Sequence, residues 1–192
     1  MRYAEAREIE MPSRPEEESD LPEASCKYRM TLRKDGRARF VSHLEYITVI
    51  TRAARRAKLP LRYSGGFHPQ PKLSFSDALP TGVASDAEII DMELVRQFTA
   101  GQLQSAMNDQ LPEGFYIADC RQLYWKTASP SASIEKFVYS VALPKINNDL
   151  KTQIESFLGS ESVMFSKIKK NRPIEIDLRP DVNDIALNEN RL

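Results

Sequence analysis

Cysteine and histidine are scarce in this chain of 192 residues: Cys26 and Cys120, His43 and His68, and no others. The cysteines lie far apart, and no histidine stands at ligand spacing from a cysteine or from the other histidine. A disulfide scaffold is therefore excluded, and neither a metal site nor a cofactor is expected. No apolar run approaches the roughly 18 residues of a membrane span. The first residues mix Arg2 and Arg7 with Glu5, Glu8 and Glu10 and lack the apolar stretch of a secretory signal, so a cytoplasmic protein without membrane partners is expected. Nucleophile elbows, phosphate-binding glycine loops and dinucleotide fingerprints are missing too. On this inventory the chain is not expected to be an enzyme on its own.

A zero net charge conceals strong segregation. Residues 1–26 hold three basic and eight acidic side chains, residues 27–72 twelve against two, residues 73–125 two against eight, and residues 126–192 ten against nine. The basic block is the feature to explain, because a solvated surface ordinarily mixes both signs.

Residues 1–25, with the Glu16–Glu18 run and few large apolar side chains, read as an acidic disordered linker or tail. From Lys27 the pattern changes. Tyr28, Met30 and Leu32 alternate with Arg29, Thr31 and Arg33, a strand with one basic face. Asp35-Gly36 supplies a turn, and Arg37 to Val41 reads as a short extended return. Ser42 and Glu45 make a capping box, and the helix it opens runs to Leu59-Pro60. Two short strands around a rigid loop are expected in LRYSGGFHPQPKLSFSDALPTGV, then a strand in EIIDMELV, a helix opened by the Thr99/Gln102 box, and a strand in FYIADC. The order β-α-β-β-α-β predicts an α+β, ferredoxin-like antiparallel sheet with two helices over residues 26–125. After a Ser/Ala/Pro connector, FVYSVAL, the helix Asp149 to Leu158, and strands at Met164 to Ile168 and Ile174 to Leu178 suggest a second, incomplete ferredoxin-like half over 134–192.

Three features carry candidate chemistry. His43 starts the apolar stripe of the first helix, where a neutral imidazole has two readings: a structural histidine bonded to a nearby carbonyl or strand residue, or a general base toward a ribose 2′-hydroxyl. Arg52, Arg55 and Arg56 form the outward face of that helix, Lys58 and Arg62 extend it, and Arg29, Arg33 and Arg39 decorate the neighbouring segments. Glu45 is the only acid on the helix, so pairing along it cannot neutralise the cluster. Arginine forks interleaved with Tyr28, Phe40, Tyr46 and Tyr63 suit phosphates and stacked bases. In YSGGFHPQPKLSF, Gly65 and Gly66 permit close approach, Pro69 and Pro71 stiffen, and Phe67, His68 and Lys72 are displayed, as a recognition loop requires.

The string RFVSHLEYITVITRAARRAKLPLRYSGGFHPQPKLSFSDALPTGVASDAEIIDMEL resembles the radical-SAM-linked domain of unknown function of bacteria, and EIDLRP near 175–180 extends the likeness to about residues 27–185. That resemblance implies an accessory domain, standing alone or fused behind a radical-SAM domain. The acidic leader is similar to the connector of the fused forms, so a piece of a larger chain is one expectation. No cluster-binding cysteine triad occurs, so the chain cannot perform radical-SAM chemistry itself. A histidine at the first helix of a ferredoxin-like unit is also similar to the repeat-RNA-processing endoribonucleases of CRISPR systems. The leading expectation is an RNA-binding accessory domain that presents tRNA or ribosomal RNA to a radical-SAM protein or domain. The rivals are a metal-independent endoribonuclease using His43, with Lys72 or arginines on the phosphorane, and a module that docks an acidic protein.

Overall fold

The computed structural model describes residues 26–123, 127–143, 149–169 and 172–187. The acidic segment 1–25 lies outside them. The chain divides into two compact units, with the boundary between Lys136 and Phe137.

In the first unit, β1 (Cys26–Lys34) carries the expected alternation: Tyr28, Met30 and Leu32 are fully buried on one face. A helix α1 (His43–Arg56), a short strand β2 (Leu73–Phe75), a long strand β3 (Ser85–Leu94), a helix α2 (Ala100–Asn108) and a strand β4 (Phe115–Leu123) follow. The sheet order is β2-β3-β1-β4 with every neighbour antiparallel. Both helices pack on the same face: Tyr46, Ile50, Ala53 and Ala54 of α1 and Leu103 and Met107 of α2 share one core with Tyr28, Met30, Leu32, Ile90, Met92 and Leu94. This is the ferredoxin-like arrangement that the order of elements predicts.

Strand β4 needs one irregularity to keep its apolar side chains inward. Leu32 faces Ile117 while Thr31 faces Asp119, so Ala118 is an extra residue and Cys120, not Asp119, returns to the core. Helix α2 supports the bulge: the Gln104 amide donates to the Ile117 and Ala118 carbonyls, and Asn108 pairs with both backbone groups of Ile117.

Arg37 to Val41 does not return as an extended piece. Gly36 (φ +52°) turns the chain into a 3-10 turn over Gly36–Phe40, which buries Ala38. The turn lies close against Gly114 (φ +86°), whose carbonyl accepts from the Asp35 N–H; a Cβ there would sit 2.8 Å from the Ala38 Cβ, so only glycine fits.

The face of the sheet away from the helices is closed by charge. Arg29 lies opposite Asp91 in the β1–β3 ladder and grips both carboxylate oxygens at 2.7 and 2.9 Å, and Lys27 adds a 2.9 Å contact. The same guanidinium donates to the Ala128 carbonyl at 2.6 Å. That bond holds the connector, whose Pro130 is fully buried and whose Ser131 donates to Asp77.

In the second unit, helix α3 (Leu150–Gly159) precedes a hairpin of β5 (Met164–Lys169) and β6 (Arg172–Asp177). Arg179 caps the end of α3 by donating to the Leu158 carbonyl, and Asp177 accepts from the Val163 and Arg179 amides, which hold its carboxyl below the usual range. The expected strand at Phe137–Leu143 is not formed; these residues are exposed and join no ladder, so the described part of this unit reads α-β-β rather than β-α-β-β. Among the described residues no helix is long and apolar enough to cross a membrane.

Replacing Asp91 by Ala strands two cations against a buried face. This change should cost about 3–5 kcal/mol of stability in urea denaturation; a cost below about 1 kcal/mol would mean that solvent already screens the pair.

Candidate functional site

Helix α1 organises the cationic surface. Its N-terminus is occupied by its own carboxylate: Glu45 accepts from the Ser42 N–H and hydroxyl at 2.9 and 2.7 Å, which lowers its pKa below the usual value. Glu45 is thus unavailable to the arginines downstream. At the other end, Leu59 N–H bonds the Ala54 carbonyl and Lys58 N–H the Arg55 carbonyl, a Schellman closure. Lys58 occupies the left-handed position of that closure at φ +52°, where glycine costs least.

Arg52 and Arg55 project from α1 into solvent, with no hydrogen-bond or ion-pair partner among the described residues. Arg56 is exposed too, and its guanidinium donates to the Gln110 carbonyl beyond α2. Arg33 is exposed but paired with Asp86 at 3.0 Å, and Arg39 lies over the Phe40 ring at 4.7 Å. Arg62 and Lys72 both face Glu93, at 3.5 and 3.8 Å.

The loop after α1 is an ordered hairpin. Leu61 pairs with Leu94 and Tyr63 with Pro71, Lys72 N–H bonds the Arg62 carbonyl, and Ser64 and Gln70 exchange two bonds of 2.8 and 3.0 Å. Gly66 turns the tip at φ +98°, leaving Phe67 with its whole surface in solvent and His68 exposed beside it. Phe67 and His68 are therefore presented by a pinned scaffold.

The sequence-derived candidates do not form one surface. Arg29 is removed from it altogether, because it is buried against Asp91. Tyr28 and Tyr46 cannot stack on a base, since both are buried in the core; Phe40 and Tyr63 remain exposed. His43 and Lys72 cannot share one phosphorane. His43 packs on Phe75 on the helix-covered face (rings 6.0 Å apart), while Lys72 meets Glu93, on the other face, so the sheet lies between them. The length of α1, about 20 Å for 14 residues, separates His43 from Arg56. His43 has no hydrogen bond to a carbonyl among the described residues; its neighbours are the Tyr46 and Phe75 rings.

Three polar residues at the His43 end escape a reading that looks for basic faces. Lys34 and Glu88 are buried, with no hydrogen-bond or ion-pair partner among the described residues, and the buried Tyr46 hydroxyl is likewise unpartnered. The strand alternation holds the signal: two residues beyond Leu32 is Lys34, and two before Ile90 is Glu88, both on the core side. Cys120 offers no nucleophile, because burial, with Asp119 adding to it, pushes its thiol up to about 11.

Fold and site together define a ferredoxin-like α+β domain with an ion pair at the middle of its outer sheet face, a first helix whose Arg52 and Arg55 have no partner among the described residues, and a following hairpin with an exposed aromatic tip. The chain belongs to the bacterial family described as an uncharacterized protein conserved in bacteria (DUF2344), which it matches over residues 27–192. No curated protein matches it.

Two outcomes test this geometry. Iodoacetamide at pH 8 should leave Cys120 unlabelled until the chain is unfolded. Lys58→Gly should raise stability by about 0.5–1 kcal/mol by relieving the left-handed lysine, an effect read as a shifted urea midpoint.

Proposed function

We propose that the first unit binds RNA through the outer face of α1 and the 61–73 hairpin, as an accessory domain that presents tRNA or ribosomal RNA to a radical-SAM protein or domain. The observation that carries this reading is the pair Arg52 and Arg55, exposed and without an acidic partner among the described residues. Five of the other ten cations of the basic block are matched by acids: Arg29 and Lys27 by Asp91, Arg33 by Asp86, Arg62 and Lys72 by Glu93. Guanidinium forks suit phosphate oxygens geometrically. Lys58, kept where glycine would be easier, adds a third cation to the same end of the helix. Phe67 supplies a ring for an unpaired base at the tip of the hairpin that follows.

The middle of the sheet face supports this placement. Ferredoxin-like RNA-binding modules that stack bases on the sheet need exposed aromatics there, and here the central positions hold Arg29, Asp91 and the connector, while the exposed Tyr116 lies on the edge strand β4. The endoribonuclease reading has less support, because His43 has aromatic neighbours and Lys72 belongs to the opposite face.

Charge reversal of Arg52 and Arg55 to Glu should weaken binding of a mixed RNA pool more than tenfold at ~50 mM salt, with an unchanged melting curve. Removing two phosphate contacts should reduce the log–log salt slope by about 1.4 for a single strand. Undetectable binding by the unaltered chain at that salt would refute the RNA reading.

A further inference from the structure

The acidic leader joins the folded domain at the end of the sheet where unmatched cations gather. Leu94 of β3 pairs with Cys26 on one side and with Leu61 on the other. Two strand spacings, about 10 Å, therefore separate the first residue of β1 from Leu61, which soon follows Arg56 at the end of α1. Cys26 packs against the core, so the chain enters on the side of the sheet that α1 covers. Near that entry stand exposed cations without an acidic partner among the described residues: Arg52, Arg55 and Lys58 toward the end of α1, and Arg96 just beyond Leu94. Arg96 has only the Phe98 ring beneath it, at 5.1 Å. The acids of the folded part around them are already engaged: Asp91 with Arg29 and Lys27, Glu93 with Arg62 and Lys72, Glu45 with its own N-cap.

The sequence immediately before Cys26 supplies the opposite sign. Glu16, Glu17, Glu18, Asp20 and Glu23 follow one another with no base among them. An extended chain covers about 3.3 Å per residue, so Glu23 reaches roughly 10 Å from Cys26 and Glu16 roughly 33 Å. Helix α1 is about 20 Å long, so these acids span the way from the entry point to Arg52 with slack. Single exposed ion pairs are weak. Tethering changes the balance, because a short connection holds the two charge sets at an effective concentration in the millimolar range. Guanidinium forks match carboxylates as well as they match phosphates.

We infer that residues 16–23 dock in cis on Arg52, Arg55, Lys58 and Arg96, and so occupy the face that RNA would use. The docking stands apart from the RNA reading above; only the competition rests on it.

The test uses the full chain and a water-soluble carbodiimide, which joins a carboxylate to an amine only where the two touch. Lys58 is the one amine of this face, so peptide mapping at low salt should find it linked to the 16–23 acids. At ~500 mM salt, where the screening length falls to about 4 Å, the yield should drop at least about fivefold. Arg52→Gln with Arg55→Gln leaves Lys58 in place and should lower the low-salt yield severalfold, with an unchanged melting curve. In a mixture of isotopically heavy and light chains, the links should lie within one chain. Neutralising the five acids (Glu→Gln, Asp20→Asn) should tighten binding of a uridine oligonucleotide at least about threefold at ~50 mM salt. If neither form binds the oligonucleotide, the RNA reading falls while the docking stands on its links. Links spread evenly over exposed lysines elsewhere, such as Lys136 and Lys151, would overturn the inference. So would links between heavy and light chains, an absence of Lys58 links, or a Lys58 yield unmoved by salt and by the two Gln substitutions.

Discussion

A buried carboxylate between two strands decides which surfaces this domain can use. Asp91 is 1% exposed and is neutralised by Arg29 and Lys27 together. The pair fixes the β1–β3 register, because a slip of one residue would turn Asp91 into the apolar core and Ile90 out of it. It also fastens the connector to the sheet through the Ala128 carbonyl. The middle of that face is thereby filled by polar groups that satisfy one another.

Most of the first unit was legible because period-two and helical patterns do not depend on distant partners. The capping boxes at Ser42/Glu45 and Thr99/Gln102 are local chemistry and both form. Failures have a common cause in context. Arg37–Val41 is extended by composition, but Gly36 at positive φ and the close approach of Gly114 favour a tight turn. Phe137–Leu143 has strand composition, yet a strand exists only when another supplies its hydrogen bonds, and among the described residues β5 pairs with β6 alone.

The charge count was sound but said nothing about pairing. Cations at alternate strand positions, such as Lys27 and Arg29, face a neighbouring strand whose acid is sixty-odd residues away, so the sequence shows an excess where the fold has a network. Helical cations behave differently: their neighbours three and four residues on are visible in the sequence, and the absence of acids there correctly marks Arg52 and Arg55 as unpaired. Lys34 and Glu88 were overlooked for the opposite reason, since a charged residue at a core-phase position is easily assigned to the end of a strand.

On the RNA reading proposed above, helix α1 constrains how phosphates would be held. An open helix N-terminus would bind an anion through backbone N–H groups, but Glu45 already fills that position from within. Arg52, Arg55, Arg56 and Lys58 gather instead at the C-terminal end, where the helix dipole favours positive charge and offers no attraction to a phosphate. Binding on that face would, on this reading, come from side chains alone, long and solvated, and would weaken steeply with salt. Sequence discrimination cannot arise from such contacts, because phosphates are alike at every position. On that reading it would come from groups fixed in place, and Phe67 on its pinned hairpin is one.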